Sequence, residues 1–117
     1  MIVEYIRYKL TKHATDSHEE RFAGFEAAYK VASSSLDTSP HCLGYELTRC
    51  VEEQDRYVLR IEWDSVDAHL MGFRRAPEFA PFLEAIKPHI SQMGEMQHYM
   101  LTLSPNQRRE FKTVFDA

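Results

Sequence analysis

The chain has 117 residues, of which 44% are hydrophobic and 27% are charged, with a net charge of −4. This length supports one domain with an ordinary core, and the composition excludes disordered, collagen-like and coiled-coil proteins. No apolar run reaches the roughly 20 residues of a membrane span, and the N-terminus lacks a signal-peptide pattern. The scattered basic residues do not form a nucleic-acid footprint. We therefore expect a cytoplasmic protein that binds neither membranes nor nucleic acids.

The first strand is predicted over Ile2 to Leu10, because apolar residues alternate along it and only Glu4 breaks the pattern on the inner face. A helix is expected to open at Asp16, with Glu19 completing a capping box. It ends before Pro40, which cannot continue a helix. Its residues at helical spacing predict a stripe that faces the core: Phe22, Phe25, Tyr29, Ala32 and Leu36.

Two further strands are predicted over Leu43 to Val51 and Arg56 to Trp63, joined as an antiparallel hairpin by a short polar turn. Alternation along the second of them places the single tryptophan, Trp63, on its inner face. The two cysteines, Cys42 and Cys50, lie at opposite ends of the first strand of this hairpin. Eight extended residues span roughly 26 Å, far more than the limit of about 7 Å between disulfide-bonded Cα atoms, so we expect both thiols to be unpaired and reduced.

After Trp63, helical spacing continues to Phe73 and breaks at the segment Arg74-Arg75-Ala76-Pro77. A second short helix is predicted to start with Pro77 in its first turn, and a fourth strand covers Met93 to Leu101. A large aromatic residue at a strand end, beside a helix that is broken over two arginines, favours a small-molecule pocket at this place.

The element order β-α-β-β-α-β is typical of a ferredoxin-like plait, an α+β fold with a four-stranded antiparallel sheet and both helices on one face. We assign residues 1–103 to this domain. The open sheet face predicts a second copy of the chain as its cover. Residues 104–117 form a tail, either a frayed terminus or a short helix docked through Phe111, Val114 and Phe115.

Three segments resemble the antibiotic biosynthesis monooxygenase (ABM) domains: CLGYEL at Cys42 to Leu47, then RYVLRIEWDS, then GFRRAPEF. The resemblance covers about residues 1 to 102 and implies a dimeric α+β barrel built from ferredoxin-like protomers. Members of this family include cofactor-independent oxygenases of quinol-like polyketides, haem-degrading enzymes and isomerases. The tryptophan at the end of the family's third strand matches Trp63. The histidine and asparagine of the haem-degrading members fall at Phe73 and Ile6, which argues against haem degradation.

Two interpretations stand for each candidate site residue. Trp63 is either a core residue or, with Phe73, a pocket wall that stacks on a flat substrate. His69 is either a surface residue of its helix or the base that deprotonates a substrate. Arg74 is either a solvated residue at the helix break or an anchor for an anionic ligand. Tyr8 is either a sheet residue or a hydroxyl donor to the ligand.

No metal site is expected, because His13 and His18 do not share a helical face and lack further ligands at metal spacing. No phosphate-binding loop or CxxC pair is present, so we expect no cofactor. The leading hypothesis is a cofactor-independent monooxygenase of a small aromatic phenol or quinol, with Trp63 and His69 as catalytic residues and Ile6, Tyr8, Phe73 and Arg74 around the substrate. The alternatives are a non-catalytic dimeric ligand-binding module and, more weakly, haem handling without ring opening.

Overall fold

The structure is a computed structural model that describes residues 1–11 and 17–103. Its strands are β1 (Ile2–Lys9), β2 (Cys42–Arg49), β3 (Arg56–Trp63) and β4 (Met93–Met100), and its helices are α1 (His18–Thr38) and α2 (Phe79–Ile86). Single turns of other helix types occur at Ala68–Gly72 (π-helical), Phe73–Arg75 (3₁₀) and Lys87–Gln92 (3₁₀). His13 and the tail at 104–117 fall outside the described residues, as does Asp16 itself.

The four strands form one antiparallel sheet in the order β2-β3-β1-β4. The predicted ferredoxin-like α+β fold is therefore confirmed, with each predicted strand correct to within two residues at either end. In the register of the sheet, Ile2 lies opposite Trp63 and Glu4 lies opposite His98. The start of β1, the end of β3 and the end of β4 thus meet at one corner.

Both helices pack on the same face of the sheet. In this shared core, Tyr8 of β1 makes edge-to-face contacts with Phe25 and Tyr29 of α1, and Tyr29 contacts Phe82 of α2 in turn. The buried stripe of α1 contains every residue that the helical spacing predicted. None of the described helices has the length and apolar character needed to cross a membrane, and both cysteines are free.

Two helix starts differ from the sequence prediction. The N-cap of α1 is Ser17, whose hydroxyl accepts a hydrogen bond from the backbone N–H of Glu20, so the cap lies one residue later than expected. Pro77 lies in the turn before α2 and not in its first helical turn, because α2 begins only at Phe79.

The segment after β3 winds as a π-helical turn and then a 3₁₀ turn, where the sequence predicts an ordinary helix. Ser65 caps the start of this segment, since its hydroxyl accepts a hydrogen bond from the backbone N–H of Ala68. Gly72 ends the π-helical turn directly against the ring of His41, where an added Cβ would lie 2.7 Å from three ring atoms. The absent side chain therefore allows this segment to approach the start of β2.

We expect opposite effects from two glycine-to-alanine substitutions. Gly72→Ala should destabilise the fold by about 1 kcal/mol, because the added methyl group must displace the half-buried ring of His41. Gly24→Ala should stabilise it by about 0.5–1 kcal/mol, because Gly24 lies within α1 and a Cβ there has nothing within 4 Å. Urea unfolding measures both. If Gly72→Ala costs as much in a His41→Ala background as alone, the contact with His41 is not the cause.

Candidate active site

A cavity of about 240 Å³ lies between the sheet and the segment that runs from the π-helical turn to α2. Its walls come from three strands, the two turns after β3 and α2. The lining residues are Glu4, Ile6, Ile61, Trp63, His69, Phe73, Arg74, Phe79, Phe82, Leu83, Ile86 and Met96. Apart from Glu4, His69 and Arg74, the lining is aliphatic and aromatic, which is typical of a small-molecule pocket.

Five of the six residues expected around a substrate line this cavity: Ile6, Trp63, His69, Phe73 and Arg74. The sixth, Tyr8, is buried elsewhere in the core, where its hydroxyl is hydrogen-bonded to that of Tyr29. Burial raises the pKa of Tyr8 to about 12, against the smaller lowering effect of the hydrogen bond with Tyr29, so its hydroxyl stays protonated at neutral pH.

Trp63 is fully buried and forms one wall, so the core and pocket-wall interpretations both describe it. Its indole N–H donates a hydrogen bond to Oε1 of Glu4 at 3.1 Å. Glu4 is only 1% exposed, and its second oxygen, Oε2, has no hydrogen-bond partner. The lining of the cavity therefore includes a buried carboxyl group with one oxygen that accepts no hydrogen bond.

His69 connects this carboxyl group to a second histidine. Its ring stacks on the indole of Trp63 with the ring centroids 4.6 Å apart and the planes within 15°. Its Nε2 lies 3.7 Å from Oε1 of Glu4, and its Nδ1 lies 2.7 Å from Nε2 of His98. His98 lies on the edge strand β4 and is half-buried. Glu4, His69 and His98, which we call the acid–histidine cluster, thus run from the cavity towards the edge of the sheet.

Burial decides the protonation of the cluster. It raises the pKa of the Glu4 carboxyl to about 7, against the smaller opposing effects of the Trp63 hydrogen bond and the nearby charge of Arg74. Burial also lowers the pKa of His69 to about 4, assisted by the positive charge of Arg74 and by His98. The pKa of His98 is lowered for the same two leading reasons, burial and Arg74. Near neutral pH, Glu4 is therefore protonated in part of the molecules and ionised in the rest, whereas His69 is a neutral imidazole.

Arg74 belongs to the exposed part of the lining, together with Leu83 and Met96. Its guanidinium lies 3.8 Å from the sulfur of Met96, across the rim of the cavity. A cation at this position can hold an anionic group of a ligand whose apolar body fills the cavity.

The acid–histidine cluster also has the donor types of a metal site. One ligand atom from each side chain lies within 4.8 Å of the other two, and two histidines with one carboxylate suit zinc or iron. The Nδ1 of His69 and the Nε2 of His98 are, however, hydrogen-bonded to each other. A metal ion could bind both nitrogens only after this hydrogen bond is broken. The observed arrangement is therefore that of a hydrogen-bonded pair of imidazoles.

Two cluster members were not among the sequence-predicted site residues. Glu4 had a visible signal, since it is the one charged residue on the inner face of β1. No sequence signal marked His98, because its place in the acid–histidine cluster depends on the pairing of β4 with β1, which brings it opposite Glu4.

The raised pKa of Glu4 predicts a pH-dependent stability change in Glu4→Gln. In the folded protein Glu4 ionises near 7 instead of 4.5, so wild-type stability from this group is highest below the unfolded pKa and falls as the pH rises towards 7. His69, His98, Arg74 and Tyr8 face the same carboxyl group but are present in both proteins. Glutamine carries no charge, so the variant should gain roughly 2 kcal/mol relative to wild type between pH 5 and pH 8. Urea unfolding at both pH values measures this gain, and a constant difference would contradict the raised pKa.

Comparison with known proteins identifies relatives of this chain by sequence and by fold. The family model described as "Antibiotic biosynthesis monooxygenase" matches residues 1–85. A structure of a candidate antibiotic biosynthesis monooxygenase from Bordetella bronchiseptica is 28% identical, with a TM-score of 0.66 over 87% of this chain and 97% of that one. SnoaB, a cofactor-independent oxygenase from Streptomyces nogalater, shares the fold with a TM-score of 0.67, covering 89% of this chain and 95% of that one at 16% identity.

The curated relative YczJ from Bacillus subtilis, itself uncharacterized, is 24% identical over 75 residues, which are 64% of this chain and 79% of that protein. The family match extends over β1 to α2 and so includes every cavity residue except Ile86 and Met96. The chain belongs to the antibiotic biosynthesis monooxygenase family.

Proposed function

We propose that this protein is a cofactor-independent monooxygenase that acts on a small phenol-like or quinol-like aromatic compound. The observation that carries the proposal is the buried carboxyl group of Glu4 in the lining of an aromatic-walled cavity, with a free acceptor oxygen and a pKa of about 7. A general base works best when its pKa lies near the working pH. Family membership and the shared fold of SnoaB support the same reaction class.

The size of the cavity favours a substrate with one or two rings. Its 240 Å³ lies below the range of about 300–1,000 Å³ that is typical of drug-sized ligands. Trp63 and Phe73, whose ring centroids are 5.2 Å apart, offer apolar faces for a flat ring. A haem macrocycle is poorly matched to this volume, so the cavity gives no support to haem handling.

In the proposed mechanism, Glu4 accepts the phenolic proton and Arg74 stabilises the resulting phenolate. His69 is a weaker proton acceptor because its pKa is about 4, and we assign it a supporting role beside Trp63. The phenolate transfers one electron to O₂, and the two radicals combine to form a carbon–oxygen bond. After the peroxide is protonated, it loses water. The balance is phenol plus O₂ giving quinone plus water, with O₂ as the only oxidant.

Turnover of a panel of naphthols, hydroquinones and anthrones tests the proposal. We expect oxygen uptake without added metal, flavin or haem. When the O₂ is isotopically labelled, one labelled oxygen atom should appear in the quinone. Glu4→Gln should lower kcat about 100-fold or more, within the range for a general base. A ligand that raises the Tm but is recovered unchanged would support the non-catalytic binding module instead.

Arg74→Gln should weaken anaerobic binding of the active phenol about tenfold, whereas Arg75→Gln, a neighbour that does not line the cavity, should not.

We also propose that the protein is a homodimer. Within residues 1–11 and 17–103, both α-helices pack on one sheet face. The opposite face carries the edge-to-face pair Tyr5–Tyr99 beside the ion pair of Arg7 with Glu95. Aromatic side chains bordered by charged pairs suit an interface between copies, and the family resemblance implies a dimeric barrel. Sedimentation equilibrium should give twice the chain mass at micromolar concentration, and a folded monomer would contradict the proposal.

A further inference from the structure

We propose that Glu4, His69 and His98 form a proton relay between the cavity and the solvent-facing edge of the sheet. The proposal rests on the proposed oxygenase function for its chemistry, because a base inside an apolar cavity needs a route by which protons leave and return. The contacts of the three side chains stand independently of that function.

One link of the relay is already a hydrogen bond, and the other needs only a small movement or one water. The His69–His98 link is a hydrogen bond of 2.7 Å between Nδ1 and Nε2. The Glu4–His69 link is 3.7 Å between Oε1 and Nε2, which a small rotation of the carboxyl group or one bridging water closes. Stacking on Trp63 holds the ring of His69 so that one nitrogen faces each partner. His98 completes the path, because it is half-buried on the edge strand β4.

The geometry defines two proton states. When Glu4 is protonated, it donates to Nε2 of His69, and the Nδ1–H of His69 donates to Nε2 of His98. When Glu4 is ionised, His69 donates to it from Nε2 and accepts at Nδ1 from the Nε2–H of His98. One proton has then moved from Glu4 to His69, one from His69 to His98, and one from Nδ1 of His98 to water. Both imidazoles remain neutral, and each has changed from the Nδ1–H to the Nε2–H tautomer.

The proposed oxidation uses both states in one turnover. With substrate bound and Glu4 protonated, the relay passes one proton to solvent, which leaves Glu4 ionised and able to accept the phenolic proton. Glu4 later donates that proton to the peroxide, which then loses water. The relay finally returns one proton from solvent, which restores protonated Glu4 and the starting tautomers of His69 and His98. No net proton is gained or lost, in agreement with phenol plus O₂ giving quinone plus water.

The charged and titratable neighbours of the relay keep the same protonation state near neutral pH. Arg74 faces the cluster with a fixed positive charge, which favours the ionised form of Glu4 and the neutral form of the histidines. The hydroxyls of Tyr8 and Tyr29 lie close to Glu4, but burial raises the pKa of both well above neutrality. They stay protonated while Glu4 titrates.

Nitrogen NMR of the histidine side chains tests the relay without any substrate. In the wild-type protein, His69 and His98 should both change tautomer over one pH step near 7, with the same midpoint. In Glu4→Gln this common step should disappear from both residues, because glutamine does not titrate. His18, at the start of α1 and away from the cavity, is the internal control and should respond identically in the two proteins. A tautomer of His98 that is constant across the step in wild type would overturn the relay.

Kinetics with His98→Ala tests the use of the relay in turnover. We expect kcat to fall about 10- to 100-fold, anaerobic substrate binding to stay unchanged, and added imidazole to restore part of kcat. His18→Ala should show neither the loss nor the rescue. Lost kcat without imidazole rescue, in a variant with an unchanged circular dichroism spectrum, would overturn the role in turnover. If the wild-type protein oxidises no member of the phenol panel, the proposed function fails, and the NMR titration still decides whether the relay exists.

Discussion

The burial of one carboxyl group is the constraint on which this site depends. Transferring a charged carboxylate into an apolar interior is costly unless polar partners compensate for the lost water. Glu4 has one such partner, the indole N–H of Trp63, which lies 59 residues away in sequence and on the neighbouring strand. This single bond satisfies one oxygen and leaves the other free. The carboxyl group is therefore held in place but remains poorly solvated, and its pKa rises into the neutral range.

The departure from regular helix after β3 supplies the second half of the site. A π-helical turn at Ala68–Gly72 followed by a 3₁₀ turn places both His69 and Phe73 in the core, where they flank Trp63. Such irregular turns are frequent at functional sites. The same segment leaves Arg74 exposed at the rim. One short stretch thus provides a stacked imidazole, an aromatic wall and a cation, while the sheet provides the acid and the second histidine.

Much of this architecture could be predicted from the sequence, because it follows local patterns. Alternation along Arg56–Trp63 placed Trp63 inward with the correct strand bounds, and helical spacing gave every hydrophobic residue of the buried stripe of α1. The π-helical turn could not be predicted, because no local pattern distinguishes it from an ordinary helix. The start of α2 was predicted too early at Pro77, because proline also suits the turn before a helix.

The chemistry of the site was less predictable, because it depends on contacts between distant strands. His69 stood out as a candidate base, yet its stack on Trp63 and its low pKa follow from tertiary packing. His98 gained its place only through the pairing of β4 with β1. Glu4 broke an apolar pattern, and this kind of local conflict is a sequence signal of function. Its exposure, its partner and its pKa nevertheless required the folded structure.

The central claim is that Glu4 is the proton acceptor of the cavity, and the direct measurement is the titration of its own carboxyl group. Carbon NMR of labelled glutamate side chains, with the Glu4 signal assigned by its loss in Glu4→Gln, follows this ionisation between pH 3 and pH 9. The account predicts a midpoint of about 7. A midpoint near 4.5, the ordinary value for glutamate, would show that Glu4 is ionised well below neutral pH and would contradict the account.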